Sequence, residues 1–260
     1  RTDSRTPGRS DKSYRAQLDY AADRYGLQLE HLRIGDAFNP DTGFVRRGDI
    51  RKSFGQVRFS PRLLKNRTIR KLSWAGSFSY VENGAGRLET RDTDASFGID
   101  FQNSDKFTMS AHQAYEFLPQ PFRIASTVTL PVGGYDYASL RAAFQFGQQR
   151  PVFGTLSAEH GTFYDGHKTT AGLSGGRVRV LTQMSVEPSF SINRVTLPHG
   201  NFTTRVIGSR ITYTMTPRMF TSALLQFSSS SNVLAINARL RWEYQPGSEL
   251  FVVLNEQRDT

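Results

Sequence analysis

One segment of the chain matches the pattern that surrounds a serine nucleophile. Gly172-Leu173-Ser174-Gly175-Gly176 fits Gly-x-Ser-x-Gly, in which the serine of an esterase lies on a tight turn between a strand and a helix. The residues that follow, Arg177 to Val180, alternate charged and apolar side chains, and this alternation predicts a strand where the motif needs a helix. A patch of small residues within a strand is therefore favoured over an esterase site.

A second group combines side chains that bind metal ions. His160, Asp165 and His167 fall within one predicted hairpin and offer imidazole and carboxylate ligands. Their spacing matches no compact metal motif, and histidines in loops are commonly solvated. We therefore predict no metal and no cofactor.

A third group offers paired carboxylates. Asp92, Asp94 and Asp100 project from one face of a predicted strand, and glycosidases use two carboxylates that flank the scissile bond. The wall of a water-filled channel also places charges two residues apart on one face. The second interpretation is favoured, and we predict no catalytic residue.

The elements that carry these residues are strands, because apolar and polar side chains alternate along most of the chain. From Leu234 to Tyr244 every second residue is apolar, and the interleaved positions include Asn237, Arg239, Arg241 and Glu243. The same period recurs from Tyr14 onwards, and helical periodicity is nearly absent. The sequence predicts an all-β chain.

Turn residues separate these alternating segments at short, regular spacing. We expect connections at residues 24–26, 35–52, 61–68, 83–86, 103–106, 119–134, 148–151, 164–166, 181–184, 197–201, 216–218, 228–232 and 245–248. These thirteen connections predict about fourteen strands of roughly 10 residues each. Residues 1–12 are expected to be a charged segment, and residues 13–260 a single domain.

Strands of this number and length favour an up-and-down antiparallel barrel that crosses a membrane. The interior of a barrel with about fourteen strands is too wide for a packed core, so the polar face lines the lumen and the apolar face contacts lipid. The lumen-facing charged candidates are Asp92, Asp94, Asp100, Arg141, Arg210, Arg239, Arg241 and Glu243. The longest apolar run, Leu250 to Leu254, is far shorter than the roughly 20 residues of a transmembrane helix.

The connections differ in length, and short turns facing the periplasm with longer outer loops are typical of outer-membrane barrels. The candidates for loop-borne contacts are Arg46, Arg47, Tyr164, Asp165 and His167. With the tight turns assigned to the periplasm, the first strand runs inward and the last runs outward. We therefore expect strands to be missing at both ends and the full barrel to contain 16 or more.

The composition excludes several classes. The chain of 260 residues contains no cysteine, which excludes disulfide scaffolds, thiolate zinc sites and iron–sulfur clusters. The net charge of +10 suggests a polyanionic partner, but the basic residues form neither a dense patch nor a nucleic-acid-binding motif. We expect no nucleic acid. The excess of basic residues is explained by outer loops, which face lipopolysaccharide phosphates, and by the charged walls of the lumen.

Five segments of the chain form a recognisable set. They are residues 39–47, 86–89, 163–166, 194–198 and 239–252, and Arg241-Trp242-Glu243-Tyr244-Gln245-Pro246-Gly247-Ser248 is the most specific part. Together they resemble a bacterial outer-membrane β-barrel domain of unknown function that usually follows a domain similar to family 9 carbohydrate-binding modules. The resemblance implies outer-membrane residence and a link to polysaccharide or oligosaccharide binding. Compared with that family, the sequence is expected to lack both the sugar-binding domain and the closing strand, and the family supplies no catalytic residues.

Three functions remain open at this point. The first is an outer-membrane anchor or conduit linked to carbohydrate binding or uptake, with membrane lipid and lipopolysaccharide as partners. The second is an outer-membrane hydrolase that acts on glycosides through a site in its loops. The third is a soluble all-β carbohydrate-binding protein.

Overall fold

The computed structural model describes residues 2–3, 10–39, 44–45, 47–125, 128–198 and 200–259. These residues form eighteen strands. The strands are β1 (Thr2–Asp3), β2 (Ser10–Asp11), β3 (Ser13–Ala21), β4 (Tyr25–Ile34), β5 (Ile50–Phe59), β6 (Ile69–Asn83), β7 (Leu88–Phe101), β8 (Lys106–Leu118), β9 (Phe122–Ala125), β10 (Val128–Leu130), β11 (Gly133–Gln145), β12 (Val152–Phe163), β13 (Gly166–Leu181), β14 (Met184–Leu197), β15 (Gly200–Thr216), β16 (Met219–Ser228), β17 (Val233–Gln245) and β18 (Ser248–Asp259). No helix occurs among the described residues.

Fourteen of the strands form one sheet in which neighbours along the chain are neighbours in space. The order runs from β3 to β8 and then from β11 to β18, and neighbouring strands such as β4 and β5 or β13 and β14 pair in antiparallel fashion. The short pairs β1–β2 and β9–β10 stand apart as two small hairpins. The predictions of an all-β chain and of fourteen sequentially paired strands are confirmed.

The predicted closure is not found in the described part of the chain. β3 pairs only with β4, and β18 pairs only with β17, so the sheet has two open edges. Closure needs a hydrogen-bonded partner for each edge strand. The described strands form an open antiparallel sheet, and a closed transmembrane barrel remains a proposal.

The described chain divides into two compact units. The first comprises Arg1–Ile99, Met109–Leu140 and Gly161–Asp165. The second comprises Asp100–Thr108, Arg141–His160 and Gly166–Thr260. Both units contain parts of the long sheet.

Strand register in the second unit places apolar side chains on one face. Ala223 lies opposite Ala238, and Leu225 lies opposite Ile236. The intervening positions pair Ser222 with Arg239 on the other face. Because successive side chains point to opposite faces, this register separates the two classes as the alternation predicts, although Leu224 is an apolar exception on the polar face.

The first unit has a small buried core at the second long connection, which the sequence predicts as a loop. Val128 and Leu130 of β10 are 1% and 0% exposed, the lowest values among the described apolar side chains. The other buried apolar residues of this unit are Ile50, Val81, Ala114 and Leu118. The β9–β10 hairpin has too few residues for a visible period, so alternation could not predict it.

A buried carboxylate in the second unit joins two connections. Asp105 is 5% exposed and accepts hydrogen bonds from the Gly147 backbone N–H at 2.7 Å and from the Asn103 amide at 2.9 Å. Arg150 Nη2 lies 2.6 Å from Asp105 Oδ2, the oxygen that also accepts from Asn103. These bonds tie the β7–β8 turn to the β11–β12 connection.

Candidate functional site

In the first unit, the structure gives Asp94 defined partners on the polar face. Its carboxylate lies 2.7 Å from His112 Nδ1 and accepts a hydrogen bond from the Ser77 hydroxyl at 3.2 Å. Asp92 lies two residues earlier on β7 and therefore shares this face. Because its oxygens bind neighbouring strands, Asp94 acts as a polar cross-strand link in this arrangement.

Asp100 belongs to the second unit, where its carboxylate lies 3.8 Å from the Lys106 ammonium. That pair spans the β7–β8 turn and is partly exposed, with 49% of the Lys106 side chain and 30% of the Asp100 side chain accessible. Arg141 of β11 is also exposed, and no ion pair joins it to another residue in the described part of the chain.

The four remaining charged candidates lie on one face of β15 and β17 in the second unit. Arg210 is opposite Leu224, which in turn is opposite Asn237, and Arg239, Arg241 and Glu243 follow Asn237 at alternate positions. Arg241 forms an ion pair with Glu249. Glu243 accepts a hydrogen bond from the Gly247 N–H at 3.3 Å.

Of the loop candidates in the described residues, Arg47, Tyr164 and Asp165 belong to the first unit and His167 to the second. Arg46 lies outside the described residues, whereas Arg47 forms an ion pair with Glu89 at 2.7 Å. The His167 ring is parallel to that of His160, with ring centroids 6.1 Å apart. Within the described ranges, no group of three or more metal-ligating side chains is present.

An aromatic cluster surrounds Tyr164 in the first unit. The Tyr164 ring meets the Tyr135 ring edge-on at 5.1 Å between centroids and lies 5.8 Å from that of Tyr137. Phe163 contacts both Tyr137 and Tyr164. The Tyr164 hydroxyl donates a hydrogen bond of 3.4 Å to Glu116 on β8. Flat apolar rings beside a carboxylate form a surface that suits a sugar ring or an organic cation.

The sequence singles out Tyr164 but misses this cluster. Tyr135 and Tyr137 occupy alternate positions of β11 and therefore share a face, which is the signal that could have revealed it. Glu116 is 48 positions from Tyr164 in the chain, and only strand pairing brings them together.

Tyr164 also adopts an unusual backbone conformation in the turn between β12 and β13. Its φ is +53°, a left-handed value that is uncommon for a bulky residue. Burial, together with the charge of Glu116, raises the pKa of the Tyr164 hydroxyl to about 12. A strained, shielded side chain at a strand end is a typical feature of functional sites.

The glycine-rich segment that resembles a nucleophile elbow lies inside β13 and is followed by more strand. Its register against β14 shifts between Leu173 and Val178, opposite Pro188. A Cβ built on Gly176 would lie 2.3 Å from the Pro188 carbonyl oxygen. Glycine is required here by this close approach, and the bulge accommodates a proline that cannot donate a ladder hydrogen bond.

No known protein family, curated protein or solved structure matches this chain. Among the residues that the structure describes, no helix has the length and apolar character needed to cross a membrane.

Proposed function

We propose that this chain forms part of the wall of a bacterial outer-membrane β-barrel that serves as a membrane anchor or conduit. The observation that carries the proposal is the exposure of the apolar face. Phe190 of β14, Ile207 of β15 and Leu225 of β16 lie inside the sheet and are 37%, 53% and 37% exposed, and the strand register places all three on the apolar face. A soluble sheet buries such a face against another layer, whereas lipid leaves it outward.

Strand length supports the same proposal. A strand that crosses the hydrocarbon layer at a tilt needs about 9–11 residues. β13, β15 and β17 contain 16, 17 and 13 residues. These strands are long enough to span the layer and to extend beyond it.

A link to carbohydrate binding or uptake at the cell surface rests on two supports. The first is the resemblance of the chain to a barrel domain that usually follows a sugar-binding domain. The second is the cluster of Tyr135, Tyr137, Phe163 and Tyr164 beside Glu116, which offers stacking surfaces and a hydrogen-bond acceptor. Lipid and lipopolysaccharide are the proposed membrane partners.

The membrane proposal is tested with the full-length protein. We expect it to require detergent for a monodisperse folded state and to migrate differently on a denaturing gel before and after heating. A folded, monodisperse protein without detergent would contradict membrane insertion. Ion conductance in planar bilayers then distinguishes a conduit, which conducts, from an anchor, which does not.

The hydrolase alternative is favoured by one observation, the strained Tyr164 that donates to Glu116. Hydrolysis of a glycoside by this site would be lost in Glu116→Gln and retained in Glu89→Gln, which removes a carboxylate paired with Arg47 elsewhere in the unit. Binding of the sugar without turnover in the unmodified protein would leave a binding role only.

A further inference from the structure

The polar face of the second unit contains a depression of about 370 Å³ between β14 and β17. Its lining includes Arg210 and Arg239, together with Thr212, Phe220, Ser222 and Asn237. The volume lies within the range of sites that hold small molecules, about 300–1,000 Å³. The lining residues come from β14, β15, β16 and β17, so the sheet itself positions them.

The two arginines of the depression carry charge that the protein does not neutralise. Within the described ranges, neither Arg210 nor Arg239 forms an ion pair. The acidic residue of the lining, Glu187, lies opposite Arg210 in the strand register, but its ion pair is with Arg177, whose guanidinium is 3.7 Å away. The depression therefore has a positive potential and favours an anion.

One aromatic ring orients the guanidinium groups. The guanidinium carbons of Arg239 and Arg241 lie 5.7 Å and 5.9 Å from the centre of the Phe220 ring. Arg241 is held by its ion pair with Glu249. Arg239 has no such partner in the described part of the chain, so its planar set of N–H donors is available to a carboxylate.

Neutral groups beside the arginines define a second property of the ligand. Thr212 and Ser222 provide hydroxyls, and Asn237 keeps its carbonyl oxygen as an acceptor because its amide nitrogen donates to Asn255. Phe220, which lines the depression, adds an apolar surface. A ligand that satisfies all of these groups carries both a carboxylate and several hydroxyls.

We propose that this depression binds an acidic saccharide, with Arg210 and Arg239 holding the carboxylate of a uronic acid unit. Thr212, Ser222 and Asn237 bind its hydroxyls, and Phe220 contacts its ring. This inference deepens the proposed function, because it rests on the polar face being open to water. It assigns the conduit or anchor a preference for anionic over neutral oligosaccharides.

The test is calorimetric titration of the full-length protein in detergent with trigalacturonate and, separately, with maltotriose. We expect trigalacturonate to bind at least about tenfold more tightly, and raising NaCl from about 0.05 M to about 0.5 M to weaken its binding. Equal binding of the two trisaccharides would overturn the proposal. Full displacement of trigalacturonate by an equal concentration of inorganic phosphate would also overturn it, since the site would then be a simple anion site.

Three variants assign the binding to this depression. Arg239→Gln is expected to weaken trigalacturonate binding about tenfold, because a charge-assisted pair is lost. Arg239→Lys keeps the charge without the planar donor set and should show a smaller loss. The control is Arg205→Gln, which removes the same charge from β15 opposite Ile192 on the apolar face. A loss in Arg205→Gln equal to that in Arg239→Gln would contradict the assignment.

Failure of this inference is distinguishable from failure of the membrane proposal. If the protein inserts into membranes but does not discriminate between the two trisaccharides, only this inference is contradicted. If the protein is folded and soluble without detergent, the membrane proposal is contradicted, and the same titrations are then carried out in buffer. Circular dichroism of each variant confirms that its sheet is intact before binding is compared.

Discussion

Val252 and Val253 offer a matched test of which face of the sheet meets lipid. The two residues are adjacent in β18, have the same side chain and are 54% and 53% exposed. Val252 lies opposite Leu240 on the apolar face, and Val253 lies opposite Arg239 on the polar face. Replacing each valine with arginine therefore introduces the same charged side chain on opposite faces of one strand.

The expected magnitudes differ because only one of the two faces is proposed to contact hydrocarbon. An arginine on the lipid face costs about 2–4 kcal/mol near the bilayer midplane. On a face open to water, an exposed substitution changes the free energy of unfolding by about 0.5 kcal/mol or less. Val253→Arg adds a like-charge contact with Arg239, which costs up to about 1 kcal/mol. We expect Val252→Arg to be the more destabilised variant by about 1–3 kcal/mol.

The assay is equilibrium unfolding of the full-length protein in phosphatidylcholine vesicles, with guanidinium as denaturant and tryptophan fluorescence as the signal. Trp242 lies opposite Leu250 near the mutated positions, so it reports on this part of the sheet. Val253→Glu is a further control, because it places a carboxylate opposite Arg239 and should recover the stability lost in Val253→Arg. Equal destabilisation in Val252→Arg and Val253→Arg would refute the assignment of the apolar face to lipid.

Three further predictions concern other parts of the fold. Asp105→Asn should lower the free energy of unfolding by about 1–3 kcal/mol, because it weakens a buried, charge-assisted network. Asp100→Asn, whose ion pair is partly exposed, should lower it by less than about 0.5 kcal/mol. Equal losses of the two variants in denaturant titrations would contradict this prediction. Gly176→Ala should cost about 1–3 kcal/mol, since its Cβ would lie 2.3 Å from a carbonyl oxygen, and Gly55→Ala, whose nearest neighbour is a leucine methyl carbon at 3.6 Å, should be nearly neutral in the same titration. The pKa of Tyr164 is raised to about 12, so the stability that its neutral hydroxyl contributes is complete below about pH 10 and is lost as pH rises toward 12. Over that interval the denaturation midpoint of Tyr164→Phe should fall less than that of the unmodified protein. An equal fall in both proteins would refute the role of Tyr164 in this pH dependence.

The sequence by itself determined the strands and their two faces. Alternation is a local property with a period of 2, so it can be recognised in one segment without its neighbours. The tight turns are equally local, and the Tyr164-Asp165 connection between β12 and β13 lies where turn residues predict it. The placement of Arg239 and Arg241 on one face follows from the same period.

Only the tertiary structure decided which residues meet across strands. Phe220 lies opposite Arg241 because of the register between β16 and β17, and alternation within one strand leaves that register undetermined. Glu116 reaches Tyr164 through a similar long-range pairing. The burial of Leu130 in the β9–β10 hairpin and the two open edges of the sheet also depend on contacts between distant segments. Such contacts have no periodic signature in the chain, which is why the candidate sites became visible only in three dimensions.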